Sequence, residues 1–464
     1  MYVKNPFSTV AAVSTPRGKG GIATIRISGE DTAKILDKCF KPKGRPMSER
    51  PFRTAVFGEI VNGTEVLDTG VCVLYAEGKS FTGELMAEIS CHGGIYVTRA
   101  VLDAVFAAGA EPAGRGEFTK RAFINGKMTL SEAEAVGRLI DADTKSKMSL
   151  ASGAVRGNLT SRLSEIDKKL ADVMTALYAA IDYPEEDVGT EGEDNIYRVV
   201  CETLSDVRKL SATYRTGRAV ADGIKTVICG KPNSGKSSIY NSLIGEDRAI
   251  VTDVAGTTRD TLEDTADVGG VTLRLIDTAG IHTTSDTVEK IGIERAYAKI
   301  NEAELIICVF DLSLPLGKDE KAFVEEVKAC EAEKICVLNK SDLDRVMSDE
   351  DEAFLRGAFE NAVVVSASTD GGTAPLAEAV ANMFNEEKLS PADDALIWDS
   401  LQKASLDTTV ALLESASDAL ESGAPLDAVG VVCEEALAEL RMVDGRDVSE
   451  DIIAGIFSHF CVGK

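Results

Sequence analysis

The chain has 464 residues, 44% hydrophobic and 27% charged, which is enough for two or three packed domains and unlike a disordered or collagen-like composition. Lys and Arg number 50 against 76 Asp and Glu, a formal charge of −26, which argues against a surface that coats nucleic acid or binds an anionic membrane. The excess is uneven: residues 1–120 carry 15 basic and 13 acidic side chains (+2), and residues 121–464 carry 35 and 63 (−28).

Short β-rich runs open the chain. Thr9–Val13 and Ile22–Ile27 flank the loop Pro16-Arg17-Gly18-Lys19-Gly20-Gly21, Val71–Tyr75 and Leu85–Ser90 follow, and a helix is predicted over Val97–Ala108 after His92-Gly93-Gly94. His92 reads best as shaping that turn. From about Ser131 the period becomes helical. Leu159, Leu163, Ile166, Leu170, Val173, Met174 and Leu177 share one face of a long helix predicted to end before Pro184. Glu185, Glu186, Asp187, Glu191, Glu193 and Asp194 then read as a solvated acidic loop. Strand–loop–helix alternation runs from Thr226 to about Phe384, and helical periodicity returns to the end, with Ile452, Ile456 and Phe460 on one face and Ile453 and Phe457 beside it. The expected fold class is α/β plus all-α: an N-terminal α+β module and a helical domain interrupted by an inserted Ras-like P-loop domain. The expected boundaries are 1–120, 121–219 with 385–464, and 220–384.

The ten cysteines form no CxxC and the three histidines no HxxxH, which argues against structural zinc and for reduced thiols. There is no signal-like N-terminus, and no apolar run approaches the roughly 18 residues of a membrane span. A cytoplasmic protein without a membrane partner is expected.

Gly230-Lys231-Pro232-Asn233-Ser234-Gly235-Lys236-Ser237 follows the apolar strand Thr226–Cys229 and precedes a helical pattern, the setting of a phosphate-binding loop. Lys236 would reach the β- and γ-phosphates and Ser237 would bind Mg²⁺, with Ser238 beside it. Asp277-Thr278-Ala279-Gly280 ends the strand Thr272–Ile276, which places a carboxylate near Mg²⁺ and a glycine N–H at the γ-phosphate. Asn339-Lys340-Ser341-Asp342 follows Ile335–Leu338. The Asp342 carboxylate can accept both guanine N1–H and N2–H, which adenine cannot match. Ser366-Ala367-Ser368 follows Val363–Val365, with the Ala367 N–H facing guanine O6. The nucleotide is therefore GTP.

Ile281 stands where many GTPases carry a water-orienting Gln, and an apolar side chain cannot polarise water. Asp286, Glu289 and Glu294 are the nearby carboxylates, each either a solvated helix residue or the missing base. In the run Thr252-Asp253-Val254-Ala255-Gly256-Thr257-Thr258, the Thr258 hydroxyl is a candidate second Mg²⁺ ligand. The Asn233 carbonyl beside that loop is suited to a monovalent cation, which supplies positive charge where an arginine finger otherwise acts.

These residues resemble the MnmE (TrmE) family of tRNA modification GTPases from end to end. The landmarks are Arg26-Ile27-Ser28-Gly29, Phe81-Thr82-Gly83-Glu84, His92-Gly93-Gly94, Gly114-Arg115-Gly116-Glu117-Phe118, Arg121-Ala122-Phe123, Ala249–Asp260, Ile291-Gly292-Ile293-Glu294-Arg295 and the terminal Cys461-Val462-Gly463-Lys464. The resemblance implies an N-terminal tetrahydrofolate-binding and dimerisation domain and potassium-dependent GTP hydrolysis stimulated by G-domain dimerisation. By position, Asn233, Thr252, Val254 and Thr257 match potassium ligands, Ser237 and Thr258 match Mg²⁺ ligands, and Glu289 matches the catalytic carboxylate. Arg26, Glu84, Lys127 and Lys464 match contacts to a 5-formyl- or methylene-tetrahydrofolate. Cys461 is either a chemically active thiol or a small buried hydrophobe. The implied partners are a second copy of the chain, the flavoprotein MnmG (GidA) in a heterotetramer or larger complex, and tRNA held mainly by that flavoprotein. Together they would build an aminomethyl-type group at C5 of the wobble uridine. His282, where many members carry Arg, and Leu85, where many carry Asp, depart from the pattern. The competing expectation is a ribosome-assembly or signalling switch whose only chemistry is GTP turnover.

Overall fold

The computed structural model describes residues 8–16, 18–182, 189–245, 264–276, 302–385, 388–445, 455–457 and 460–463, with backbone only for 182 and 189–193. They divide into two compact units, 1–137 with 444–464, and 138–443. The first unit therefore takes in 121–137 and 444–464, which the sequence reading assigned to the helical domain.

The first unit holds a seven-stranded sheet in the order β3-β4-β5-β6-β2-β1-β7. Its strands are β1 (Val10–Val13), β2 (Ile22–Ser28), β3 (Phe40–Pro42), β4 (Val56–Asn62), β5 (Glu65–Tyr75), β6 (Met86–His92) and β7 (Glu111–Pro112). All pairs are antiparallel except β1 with β7. Side chains alternate across β2, so Ala23, Ile25 and Ile27 enter a core with Ile35 and Leu36 of α1 (Thr32–Cys39) and Val101 and Val105 of α2 (Ile95–Ala107). Arg26 projects to the opposite face. Val10 and Ala12 lie on that face with Phe118 of α3 (Glu117–Ile124). Leu130 and Ala133, at the start of α4 (Leu130–Asp141), pack with Phe457 and Phe460 from the end of the chain.

In the second unit, α5 (Lys145–Val155) leads into α6 (Asn158–Asp182) and α7 (Gly189–Ala212). The seven apolar residues of the predicted long helix are all buried. Glu191, Glu193 and Asp194, expected in an acidic loop, lie instead within the first turns of α7, and Glu185, Glu186 and Asp187 lie outside the described residues. Acidic side chains are favoured at a helix N-terminus, so a polar run there does not imply irregular chain. After α8 (Tyr214–Ala221) comes a six-stranded sheet of order β13-β12-β11-β8-β10-β9. Its strands are β8 (Ile224–Gly230), β9 (Asp264–Val268), β10 (Val271–Leu275), β11 (Leu305–Asp311), β12 (Glu333–Asn339) and β13 (Asn361–Val364), with α9 (Lys236–Gly245), α10 (Lys318–Lys328), α11 (Asp349–Ala358) and α12 (Ala374–Phe384). Among the described strands of this sheet only the β9–β10 hairpin is antiparallel. All seven residues of β11 are buried, as expected for a central parallel strand covered on both faces. The chain then returns to the helical part. Leu406 and Leu413 of α13 (Ser400–Glu421) and Cys433 and Leu440 of α14 (Leu426–Met442) complete one core with Leu163, Leu170, Val200 and Val207. Helices from both sides of the insertion thus share a core.

Candidate functional site

The loop Lys231–Gly235 connects β8 to α9. Gly230 has φ +143°, and a Cβ there would lie 2.3 Å from Val309 O; at Gly235 (φ +99°) it would lie 2.0 Å from Asn339 Nδ2. Both positions therefore require glycine. Asn233 is left-handed as well, with φ 64°. Lys236 Nζ curls back to donate to the carbonyls of Gly230 at 2.9 Å and Lys231 at 2.7 Å. Among the described residues these neutral carbonyls are its only partners, and burial holds its pKa below the usual lysine value. Ser234 Oγ is buried in the loop with no partner among the described residues. Ser237 and Ser238 sit in the first turn of α9.

The neighbouring loops close onto the phosphate loop. Asn339, buried at the end of β12, donates from Nδ2 to Ser234 O at 2.9 Å, and its Oδ1 accepts the Ala367 N–H at 3.1 Å. That N–H, expected to face guanine O6, is here satisfied by protein. Asp342 Oδ1 accepts from Ser366 Oγ at 2.6 Å and Oδ2 from Ser368 Oγ at 2.9 Å. These two hydroxyls hold the carboxyl below its usual pKa, so it is ionised and an acceptor. Lys340 (φ 65°) is anchored by its ammonium to Asp311 Oδ2 at 2.6 Å. Asp311 Oδ1 in turn accepts from the Ser313 N–H (2.9 Å) and hydroxyl (2.6 Å). The sequence reading missed Asp311. Its signal was present in the polar Asp311-Leu312-Ser313 that ends an otherwise apolar strand. Thr252, Asp253, Val254, Ala255, Gly256, Thr257, Thr258, Asp277, Thr278, Ala279, Gly280, His282 and Glu289 lie outside the described residues.

A second constellation lies on the outer face of β2. Arg26 donates to Glu88 Oε1 from Nη2 (2.8 Å) and Nε (3.1 Å), with its guanidinium over Phe81 (5.0 Å) and Phe118 (5.5 Å). Glu84 Oε2 accepts from Ser28 Oγ at 2.7 Å and from Arg121 Nη1 at 3.0 Å. Arg121 is buried and also reaches Glu117 Oε1 at 3.2 Å. Lys127 Nζ donates to Gly78 O at 3.1 Å, and its stem borders Gly83. Arg26, Glu84 and Lys127 therefore gather around the 78–84 loop. Arg121 and Glu88, which the sequence reading did not single out as site residues, neutralise the charges there. Leu85, the departure from the family pattern, uses its carbonyl to accept from Gly29 N and Thr32 Oγ1.

Cys461 is exposed, which excludes the reading of it as a buried hydrophobe. Its carbonyl accepts the Gly116 N–H at 3.3 Å, at the N-cap of α3. Gly463 O accepts from Ser14 Oγ at 2.9 Å, and Gly463 (φ +100°) is pressed so closely to Val13 that a Cβ would lie 2.0 Å from Val13 O. Lys464 lies outside the described residues. His92 ends β6, with its N–H and ring Nδ1 on the Asp68 carboxylate at 2.8 and 2.7 Å.

Residues 9–127 match the family described as GTP-binding protein TrmE N-terminus, and residues 130–461 match the MnmE helical domain. The chain belongs to the MnmE family. A tRNA modification GTPase MnmE of Lachnoclostridium phytofermentans is 39% identical over 98% of this chain and 99% of its own length. The MnmE of Clostridioides difficile is 36% identical over the same shares, and that of Thermoanaerobacter sp. is 38% identical over 99% of this chain and all of its own. Similarity to MnmE thus extends through both units. Among the described residues no helix is long and apolar enough to cross a membrane.

Proposed function

We propose that this chain is the GTP-hydrolysing component of a tRNA-modifying complex. The family supplies the class of activity, and one observation carries the site: a lysine whose partners among the described residues are neutral carbonyls, beside a buried hydroxyl with no partner among those residues, on a glycine-built loop. That arrangement fits a phosphate chain. Lys236 would exchange its two carbonyls for β- and γ-phosphate oxygens, and the loop's N–H groups would take the rest of the charge. The ionised Asp342 would accept guanine N1–H and N2–H, with Ser366 and Ser368 holding it in place.

Ser237 and Thr258 would hold Mg²⁺, which when bound neutralises charge on the phosphates. Asn233, Thr252, Val254 and Thr257 would hold K⁺, and Glu289 would orient the attacking water, a task Ile281 cannot perform. Asp277–Gly280 would face the metal and γ-phosphate. In the first unit, the half-buried Phe81 under the Arg26 guanidinium, with Glu84, Lys127 and Lys464, suits a flat anionic folate, with Cys461 as the exposed thiol of that unit. The chain would divide into three parts, 1–120, 121–219 with 385–464, and 220–384. It would act as a homodimer in the cytoplasm with the flavoprotein partner MnmG (GidA), and together they would place an aminomethyl-type group on C5 of the wobble uridine using a folate one-carbon unit.

Nucleoside analysis of tRNA from a deletion strain tests the reading. Wobble uridines should lose their C5 substituent, and unchanged wobble uridines with altered ribosome profiles would replace it with an assembly switch. Hydrolysis should be much faster in K⁺ than in Na⁺; equal rates would remove the cation role of Asn233.

A further inference from the structure

The β9–β10 hairpin joins two stretches assigned above to the nucleotide. The Thr252–Thr258 run comes shortly before Asp264, and Asp277 directly follows Ile276. The hairpin is therefore the covalent link between the two stretches.

The other end of the hairpin is gripped from two sides. At its turn, Gly269 (φ +61°) is so close to α12 that a Cβ would lie 2.4 Å from Ala377 O. On its strands, Asp267 Oδ2 accepts the Ser146 N–H at 2.8 Å, the Thr272 and Thr144 hydroxyls lie 3.2 Å apart, and Thr265 Oγ1 donates to Asp143 Oδ2 at 3.1 Å. Thr144 is the N-cap of α5 and accepts the Lys147 N–H at 3.2 Å. Ser146 lies in the first turn, where a backbone N–H has no acceptor within the helix. A carboxylate there also meets the positive end of the helix dipole. The cap of α5 is therefore completed by a side chain from the nucleotide-binding sheet.

We propose that Asp267 is the positioning residue through which nucleotide-dependent movement of the hairpin reaches α5 and the helical part of the molecule. The proposal rests on the GTPase reading above and names the joint that reading requires. The structure also provides the reporter. Leu150 and Ala151 of α5 line a cavity of about 220 Å³ with Trp398. The indole of Trp398 is buried, its N–H has no partner among the described residues, and it is the one tryptophan of the chain. A shift of α5 changes the surroundings of that single fluorophore.

The test records tryptophan emission of the full-length protein with Mg²⁺ and either GDP or a non-hydrolysable GTP analogue. Equilibrium dialysis of the same samples reads nucleotide binding. Wild type should show an emission difference between the two nucleotides. In Asp267→Ala that difference should fall at least about fivefold, the lower end of ordinary coupling between sites, while both dissociation constants change less than about twofold. Ser146→Ala keeps the backbone donor and should retain the difference. Thr272→Val removes one hydroxyl contact, should reduce the difference partially, and carries the same test if Asp267→Ala fails to fold. Emission that is the same for both nucleotides in wild type, or a full difference in folded Asp267→Ala, overturns the proposal, as does a full difference in Thr272→Val where Asp267→Ala does not fold. Absence of nucleotide binding in wild type overturns the GTPase reading as well, and the dialysis arm separates the two failures.

Discussion

The two candidate sites use positive charge in opposite ways. On β2 and α3, Arg26 and Arg121 are matched by Glu88, Glu84 and Glu117, so the cations are already neutralised by the protein. On the loop after β8, Lys236 rests on two carbonyl oxygens that carry no formal charge, and burial destabilises its ammonium. A phosphate arriving at Lys236 therefore gains a cation without displacing an anion. A ligand arriving at Arg26 finds its charge shared with Glu88, and has to bind by stacking and by joining existing hydrogen bonds. The nucleotide loop is prepared for charge, and the outer face of β2 for shape.

This contrast can be broken by substitution. The largest effect is expected from Arg121→Met, which leaves Glu84 and Glu117 half-buried without their cation and should destabilise the first unit by about 3–5 kcal/mol. Urea unfolding followed by a probe in that unit measures it, and a loss below about 1 kcal/mol would mean that the pairs there are solvent-screened. Next, Lys236→Met should weaken GTP binding on the order of 100-fold, about 3 kcal/mol for charged hydrogen bonds, with little change in thermal stability. Equilibrium dialysis reads the first quantity and a melting curve the second; a large loss of stability would give Lys236 a structural role. Asp342→Asn should exchange specificity. Its amide can donate to a 2-oxo group but cannot accept two N–H bonds, so the GTP preference should fall by roughly 10-fold or more relative to XTP.

The smallest effect is a pH dependence. The Lys340 ammonium and the Ser313 N–H and hydroxyl outweigh burial and hold the Asp311 carboxyl below its usual pKa. A depressed folded-state pKa contributes stability above the ordinary carboxylate range, near pH 4, and loses it as pH falls through the lower folded value. Unfolding measured from pH 6 down to pH 3 should show an acid-sensitive component that Asp311→Asn abolishes. If the asparagine variant keeps the full acid sensitivity, the contribution belongs to other carboxylates.

Local chemistry made some parts of this molecule readable and tertiary pairing hid others. The phosphate loop was legible because its glycines are imposed by positive φ and by close contacts that leave no room for a Cβ. The long helix was legible because seven apolar side chains recur at helical spacing over one core. Asp311 was not legible as a partner of Lys340, since the contact arises when β11 and β12 pair in parallel register and bring Asp311 opposite Asn339. Arg26 with Glu88 is the same kind of case, set by antiparallel register between β2 and β6. Asp267 reads as an ordinary polar strand residue until α5 is placed against it. Glu191, Glu193 and Asp194 were not legible as helical for a different reason, because charge alone does not distinguish a solvated connection from the start of a helix.

The closure of the first unit also sets an order on the chain's own synthesis. Ser14, at the end of the first strand, bonds to Gly463, 449 residues later. At roughly 5–20 residues per second, the translating ribosome separates those two groups by on the order of 20–90 s. Throughout that interval β1 lacks the backbone against which its end is packed, whereas the described strands of the nucleotide-binding sheet are all made by Val364, well before Gly463. The part of the protein made first is therefore among the parts completed last, and this contact forms only once Gly463 has emerged.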